Sequence, residues 1–450
     1  MKIGLVAMSG VRTQNEELLR LGLTLPGFVE RSEVIASLPS LGLLTLAALT
    51  PDEFEVEYVE VAELKAAQRL PGDCDLVAIS TYSAQAFEAY ELADRLRKEG
   101  VPVVMGGLHV SACPDEAQQH CTSVVVGEGE PLWPQLLADF RSGRLQPRYL
   151  QAPLGSYDLA DSPVPRFELL DPGKYNRLTV QTSRGCPHRC EFCASSVLLS
   201  PRYKVKPVAK VMEEIQAIKR IWDRPFIEFA DDNSFADRAH YKQLLRALAP
   251  EKIRWFTEAD IAIGRDDELL DLMRRSGCRQ VLIGLESPRE ASLDGIELNA
   301  NWKLRQRGGY EEAIARIQSH GIAVIGCFVF GLDGDTAEVF DEVRVFAERS
   351  GLRDVQITFM TPFPGTRLYH RLKAEGRILR DGAWDLCTLF DINVRPRSMT
   401  VDELQRGMLA LSKDLYSAEP TRRRRQRFRE MVRQSVRRSR QRSAPKEAPY

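Results

Sequence analysis

Cys186, Cys190 and Cys193 fall within eight residues, in the stretch Thr182-Ser-Arg-Gly-Cys-Pro-His-Arg-Cys-Glu-Phe-Cys. The C-x3-C-x2-C spacing brings three thiolates out of one short loop, and the number three decides the chemistry. A [4Fe–4S] cube held by four cysteines is coordinatively closed and suits electron transfer. Held by three, the cube keeps one iron open to a substrate or a second cofactor. The competing reading is zinc, whose structural sites take four ligands in a tetrahedron. His188, between Pro187 and Arg189, is the residue that would complete such a set.

The elements that must position this loop read as two alternating series. Compact apolar runs at 2–9, 54–61, 75–80, 101–105 and 123–126 are predicted strands, and 84–99 carries apolar residues at helical spacing. Such alternation predicts an α/β domain, a Rossmann-like doubly wound parallel sheet over 1–140, with ligands at the carboxyl ends of its strands. Those ends carry Ser80-Thr-Tyr-Ser, Gly106-Gly-Leu-His and Gly127-Glu-Gly-Glu. Residues 141–177 read as a linker because Pro147, Pro153, Pro163, Pro165 and Pro172 interrupt them. Strands at 178–182, 226–230, 254–258, 280–285, 323–330 and 355–360 then alternate with helices near 208–221, 236–248, 267–276, 310–320 and 335–348. Six strands with five helices between them predict a partial or complete TIM-type barrel over 178–365, whose active residues lie after the strand ends. The cysteine loop follows the first of these strands. Asp231-Asp232-Asn233 follows the second, Glu258 the third and Glu286-Ser287 the fourth; Gly331-Leu-Asp-Gly and Thr361-Pro-Phe-Pro-Gly follow the last two.

Residues 366–420 read as a helical segment closing the barrel, with a capped amphipathic helix from near Thr400. The final stretch, 421–450, is a basic tail, flexible or helical, with eleven Arg and one Lys against two Glu. The net charge of −1 conceals this segregation, since the rest of the chain holds 50 basic and 61 acidic residues, a balance of −11. Such a tail is suited to an anionic surface, or to solubility alone. Across the 450 residues, 44% hydrophobic and 28% charged content are those of a globular protein. Six cysteines besides the triad are scattered singly, the pattern of a reducing compartment, and no apolar run reaches the length of a transmembrane helix. The expected location is the cytoplasm.

With these motifs in place, the chain resembles the radical S-adenosylmethionine (SAM) enzymes that carry a cobalamin-binding domain, the class B methyltransferase-like group. The resemblance covers roughly residues 1–417. It rests on C-x3-C-x-F-C in its strand–loop context, with Gly106-Gly-Leu-His-Val-Ser, Gly127-Glu-Gly-Glu, Phe229-Ala-Asp-Asp-Asn, Ile283-Gly-Leu-Glu-Ser and Pro362-Phe-Pro-Gly-Thr-Arg-Leu. It implies that Cys186, Cys190 and Cys193 hold a [4Fe–4S] cluster whose open iron binds SAM, giving a 5′-deoxyadenosyl radical on reduction. Phe192 matches the family's aromatic that places the adenine. Asp231 and Asp232 stand where many members receive the SAM amino group with Gly-Gly-Glu, so only the position carries over. Glu258 and Glu286 are implied partners of the ribose hydroxyls or orienters of SAM, or else pair with Arg254, Arg279 or another barrel-mouth base. Arg184 is a candidate for a SAM or substrate carboxylate, or a plain charged rim residue.

In the first domain, Ser80, Tyr82, Gly106, Gly107 and His109 are implied to face cobalamin. The Asp-x-His-x-x-Gly stretch of many cobalamin proteins is here Met8-Ser-Gly-Val-Arg-Thr, without histidine, so the lower cobalt ligand is absent or comes from elsewhere. A domain that kept the fold and lost the cofactor would show the same strands. The implied partners are a small-molecule or lipid substrate and an electron donor such as flavodoxin or ferredoxin. The leading expectation is methylation of an unactivated carbon in a lipid or natural product. Ring formation or rearrangement without methyl transfer is the second, and a metal-stabilised nucleic-acid-binding protein the third.

Overall fold

The structure is a computed structural model that describes residues 1–21, 38–194 and 202–443. Six parallel strands form the first sheet: β1 (Lys2–Met8), β2 (Glu55–Val61), β3 (Leu76–Ser80), β4 (Val103–Gly106), β5 (Ser123–Val126) and β6 (Arg148–Leu150), in the order β2-β1-β3-β4-β5-β6. Both faces are covered, as parallel sheets require. Along β1 the side chains alternate: Ile3 and Leu5 pack with Leu43, Trp133 and Leu136 on one face. Val6 and Met8 pack with Ala86, Ala89 and Ala93 of helix Ala86–Lys98 on the other.

The region read as a linker contributes the sheet's sixth strand. Its prolines bound that strand instead of breaking it. Pro147 has no N–H, but its carbonyl accepts from Val124 N (2.9 Å), and Gln151 N donates to Val126 O (3.1 Å). An edge strand needs only one side paired, so proline is tolerated there.

The second half begins with β7 (Leu178–Val180) and a short antiparallel ribbon, β8 (Ser183–Arg184) with β9 (Lys204–Val205). Strands β10 (Phe226–Ser234), β11 (Arg254–Ala259), β12 (Cys278–Glu286), β13 (Ala323–Phe330) and β14 (Asp354–Phe359) complete a six-stranded parallel sheet in the order β14-β13-β12-β11-β10-β7. The end strands β7 and β14 do not pair, so the barrel is partial. Its helices, Val208–Ile221, Arg238–Leu248, Asp267–Ser276, Tyr310–Ser319 and Val339–Arg349, lie close to their predicted ranges. Helix Asp267–Ser276 shows why. Asp266 caps it by accepting from Leu269 N (3.0 Å), and Gly277 ends it at φ 100°, where a Cβ would stand 2.0 Å from Ile253 O.

Two strands run further than their hydrophobic patterns indicate. β10 continues through Asp231, Asp232 and Asn233, with its register shifting between Phe229 and Ser234, and β12 includes Glu286. Helix Val401–Leu415 starts with a full capping box between Thr400 and Glu403 and buries Leu404, Met408 and Leu411. The basic tail is helical over Ala418–Ser443 and docked on the barrel. Arg424 is buried and donates to Leu415 O (2.6 Å), and the Arg353 guanidinium lies 5.9 Å from the Phe428 ring centroid. Its end, 444–450, lies outside the described residues. Among the described residues no helix is long and apolar enough to cross a membrane.

Candidate active site

Asp231 fixes the entry to the cysteine loop. One carboxylate oxygen accepts from Thr182 N and Ser183 N (2.8 Å each), and the other from the hydroxyls of Thr182, Ser234 (2.8 Å) and Tyr241 (2.8 Å). Gly185 N donates to Asp232 Oδ2 (3.0 Å) just before Cys186. The far end is held by a second set of bonds. Glu191 N donates to Ile296 O (2.9 Å), Arg189 N to Glu297 Oε1 (3.1 Å), and the Glu191 carboxylate takes two bonds from Arg371 (2.6 and 3.0 Å). Both ends of the loop are thus set by the barrel, not by the loop itself.

Cys186, Cys190 and Cys193 line one cavity of about 360 Å³ at the carboxyl ends of the barrel strands. Burial pushes the Cys186 thiol up to about 11 and the Cys190 thiol to about 12, so these two thiols stay neutral until a positive centre stabilises the thiolates. Among the described residues no three His, Cys, Asp or Glu side chains converge as a single-ion site, whereas an iron–sulfur cube takes each thiolate at a different iron. His188 does not join the cysteines as a zinc ligand. Its ring stacks on Trp302 (5.0 Å), and Nε2 lies 3.4 Å from Asp260 Oδ2. The donor set therefore fits a cluster held by three cysteines.

The other expected barrel residues separate into two groups. Phe192, Asp232, Glu258 and Glu286 line the cysteine cavity. Asp231 does not: its oxygens are occupied by the five donors above, which corrects its expected place beside SAM. Glu286 sits at φ 61° and accepts from Lys303 Nζ (2.8 Å), a barrel-mouth base other than Arg254 or Arg279. Backbone strain of this kind in a bulky residue gathers at functional sites. Among the described residues the Glu258 carboxylate has no ion-pair or hydrogen-bond partner. This carboxylate opens into the cavity, yet loss of bulk water deep in the barrel and the carboxylates of Glu228, Asp232 and Glu286 push it up to about 8. Lys303 and Gln356 also line this cavity and were not legible as site residues, whereas Asn233, which lines it too, follows Asp231 and Asp232 at the end of the second barrel strand. Lys303 belongs to an ordinary helix in sequence, and only the packing of that helix under β12 brings its amine to Glu286.

A second cavity of about 280 Å³ lies where the first sheet meets the barrel, and Ser80, Gly106 and Gly107 are among the residues that line it. Gly107 holds φ 97°, and a Cβ there would come within 3.1 Å of Ser80 Oγ. Gly127 and Gly129 extend this wall, where backbone is open to the close approach of a bulky ligand, and Leu43, Leu46, Val104 and Trp133 add apolar side chains. Two expected residues lie elsewhere. Tyr82 is 54% exposed and outside this lining. His109 is fully buried in the domain core, with Nε2 on Tyr90 Oη (2.9 Å) and Nδ1 on Ser83 Oγ (3.1 Å). Burial pushes its pKa down to about 4. It follows a glycine pair at a strand end, but helix Leu108–Ala112 turns it inward. Among the described residues this lining contains no histidine.

Arg184 also belongs to this second cavity, where it pairs with Glu128 (2.7 Å) and Glu130 (2.6 Å) and so is not free for a carboxylate ligand. Asp232 lines both cavities. The two sites are neighbours across a single side chain.

The Radical SAM superfamily profile matches residues 180–347, and the B12 binding domain profile matches residues 32–137. A domain of unknown function (DUF4070) matches 366–448. The chain is similar to the bacteriochlorophyllide d C-12(1)-methyltransferase of Chlorobaculum tepidum, 27% identical over 86% of this chain and 84% of that one. It is similar also to the hopanoid C-2 methylase of Rhodopseudomonas palustris, 29% identical over 78% and 67%. In fold it resembles the radical S-adenosylmethionine methyltransferase TsrM from Kitasatospora setae, solved with cobalamin and a [4Fe-4S] cluster bound. The TM-score is 0.64 at 18% identity, over 97% of this chain and 99% of that one. A B12 binding domain match ahead of a Radical SAM match, with a glycine-lined cavity beside a three-cysteine cavity, gives this chain the two domains that imply a [4Fe–4S] cluster, SAM and cobalamin.

Proposed function

We propose that this enzyme methylates an unactivated carbon of a small molecule or lipid in the cytoplasm, drawing electrons from a donor such as flavodoxin or ferredoxin. The observation that carries the reading is the shared wall: Asp232 lines the cysteine cavity and the B12-domain cavity alike. A methyl donor on one side and a radical-generating centre on the other can then act on one substrate between them. The similar proteins whose names specify carbon methylation, on bacteriochlorophyllide and on hopanoid, support it.

When bound, the cluster supplies the electron that cleaves SAM to a 5′-deoxyadenosyl radical, and cobalamin supplies a transferable methyl group. In this reading Cys186, Cys190 and Cys193 ligate the cluster and Phe192 packs against the adenine. Asp232 accepts from the SAM amino group while steadying Gly185. Glu286, steadied by Lys303, keeps its second oxygen for a ribose hydroxyl. Glu258 faces the same space without a counter-cation, placed to bond a donor on SAM or substrate. Ser80, Gly106 and Gly107 let cobalamin approach the strand ends. Met360, Phe363 and Leu389 give the cysteine cavity an apolar outer wall suited to a hydrocarbon substrate.

The test uses anaerobically reconstituted protein, SAM with a deuterated methyl group, a reductant and an extract of a deletion strain. A product gaining the labelled methyl, together with 5′-deoxyadenosine, is expected, and Cys186→Ala should give neither. 5′-Deoxyadenosine formed with a product that has lost hydrogen but gained no methyl would overturn methyl transfer in favour of ring formation. One similar protein, the anaerobic magnesium-protoporphyrin IX monomethyl ester cyclase of Cereibacter sphaeroides, is 23% identical over 74% of this chain.

A further inference from the structure

The ribbon β8–β9 brackets residues 185–203, the segment that contains the cysteine triad. Its two cations, Arg184 and Lys204, are cross-strand partners. Both reach out of the barrel to the same oxygen in the other domain: Arg184 Nη1 and Lys204 Nζ donate to Glu128 Oε1 at 2.7 and 2.6 Å. Arg184 Nη2 also donates to Glu130 Oε1 (2.6 Å). The second oxygen of Glu128 takes Gln151 Nε2 (2.6 Å) and Tyr157 N (2.9 Å) from its own domain. Lys204 Nζ completes its set on Tyr157 O (2.6 Å) and Gly155 O (3.2 Å). The group is well sheltered, the Glu128 side chain being 1% exposed and Arg184 16%.

We propose that Glu128, Glu130, Arg184 and Lys204 form an interdomain clamp that holds the cluster loop at one fixed distance from the B12-domain cavity. Two positive and two negative charges cancel inside it. Each glutamate follows a glycine of the cavity wall, Gly127 or Gly129, and Arg184 stands two residues before Cys186. A sheltered ion pair contributes little net stability, because desolvation offsets the attraction, but it enforces one geometry since any shift strands a charge. Geometry is what transfer between two cofactors demands, since small displacements of reacting groups cost large factors in rate. In this scheme Arg184 and Lys204 are positioning residues: they act through the loop and not on a ligand.

The test reads distance without turnover, so it stands whether or not methyl transfer is the reaction. In the holoenzyme, pulsed electron paramagnetic resonance measures the separation between cob(II)alamin and the reduced cluster. A single narrow distribution is expected for the wild type and for Lys204→Arg, with broad ones for Arg184→Gln and Lys204→Met. Wild-type width in both Arg184→Gln and Lys204→Met, at full iron and cobalamin content, would overturn the clamp. Should a variant fail to load its cofactors, amide hydrogen exchange of the full cofactor-free chain decides. Lys204→Met is expected to speed exchange about tenfold at 127–130 and at 183–185 together, the loss of roughly one charge-assisted hydrogen bond. Acceleration confined to 204–206 would refute an interdomain role.

Discussion

Asp231 offers a sharp separation of scaffold from ligand site. Replacing it by alanine removes the acceptor for five donors, but these are not equal. The hydroxyls can turn to one another, since Thr182 Oγ1 already lies 2.8 Å from Tyr241 Oη and Ser234 Oγ 2.7 Å from Thr257 Oγ1. The backbone N–H groups of Thr182 and Ser183 cannot turn. Each stranded buried donor costs about 1–3 kcal/mol, so Asp231→Ala should lose about 4 kcal/mol. Asp231→Asn keeps Oδ1 for both backbone donors and sacrifices only the charge and some hydroxyl geometry, about 1–2 kcal/mol. Urea denaturation followed by tryptophan fluorescence should rank wild type above Asn and Asn above Ala. Equilibrium dialysis with the reconstituted Asn variant should return nearly wild-type SAM affinity. Wild-type stability in Asp231→Asn combined with a large loss of SAM affinity would refute the reasoning and return Asp231 to the SAM site.

Three further outcomes follow from the same structure. His109 is held neutral with its pKa near 4, below its ordinary value, so the unfolded chain takes up a proton that the fold excludes. Stability should therefore fall as pH drops from about 6.5 towards 4, by up to about 3 kcal/mol from this group, and His109→Gln should flatten that slope in denaturation curves. Glu258, pushed up to about 8, should show in cofactor-free protein an infrared carboxylic-acid band that fades as pH rises through that value and is missing in Glu258→Gln. Thr400→Ala removes the hydroxyl that accepts from Glu403 N and leaves the Glu403 carboxylate on the backbone N–H of position 400; it should lower stability by about 1 kcal/mol in urea denaturation, with no effect on cofactor content.

Much of this architecture is legible before folding because it depends on local rules. Apolar runs of strand length, helices at 3.6-residue spacing and the Thr400 cap each report their own neighbourhood. For that reason eleven of the strand positions read in the chain are strands in the structure. The missed strand at 148–150 shows the limit of local reading: proline's lost donor is visible in sequence, while its carbonyl matters only once Val124 arrives beside it.

Site residues divide in the same way. The cysteine triad depends on spacing within one loop, and the sequence by itself determined that three thiols would emerge after the first barrel strand. It determined as well that glycines at 106, 107 and 127 would thin the ends of the first sheet. Which carboxylate faces a cavity and which serves the scaffold was decided by tertiary structure alone. Asp231 and Asp232 are neighbours of identical type, yet alternation along β10 sends one into the hydroxyls of Ser234 and Tyr241 and the other into the space between two cavities. His109 turned inward, Lys303 reached Glu286, and Arg184 spent its charge on the other domain. Each of these contacts joins residues far apart in the chain, and no local pattern records the approach of two elements that only packing brings together.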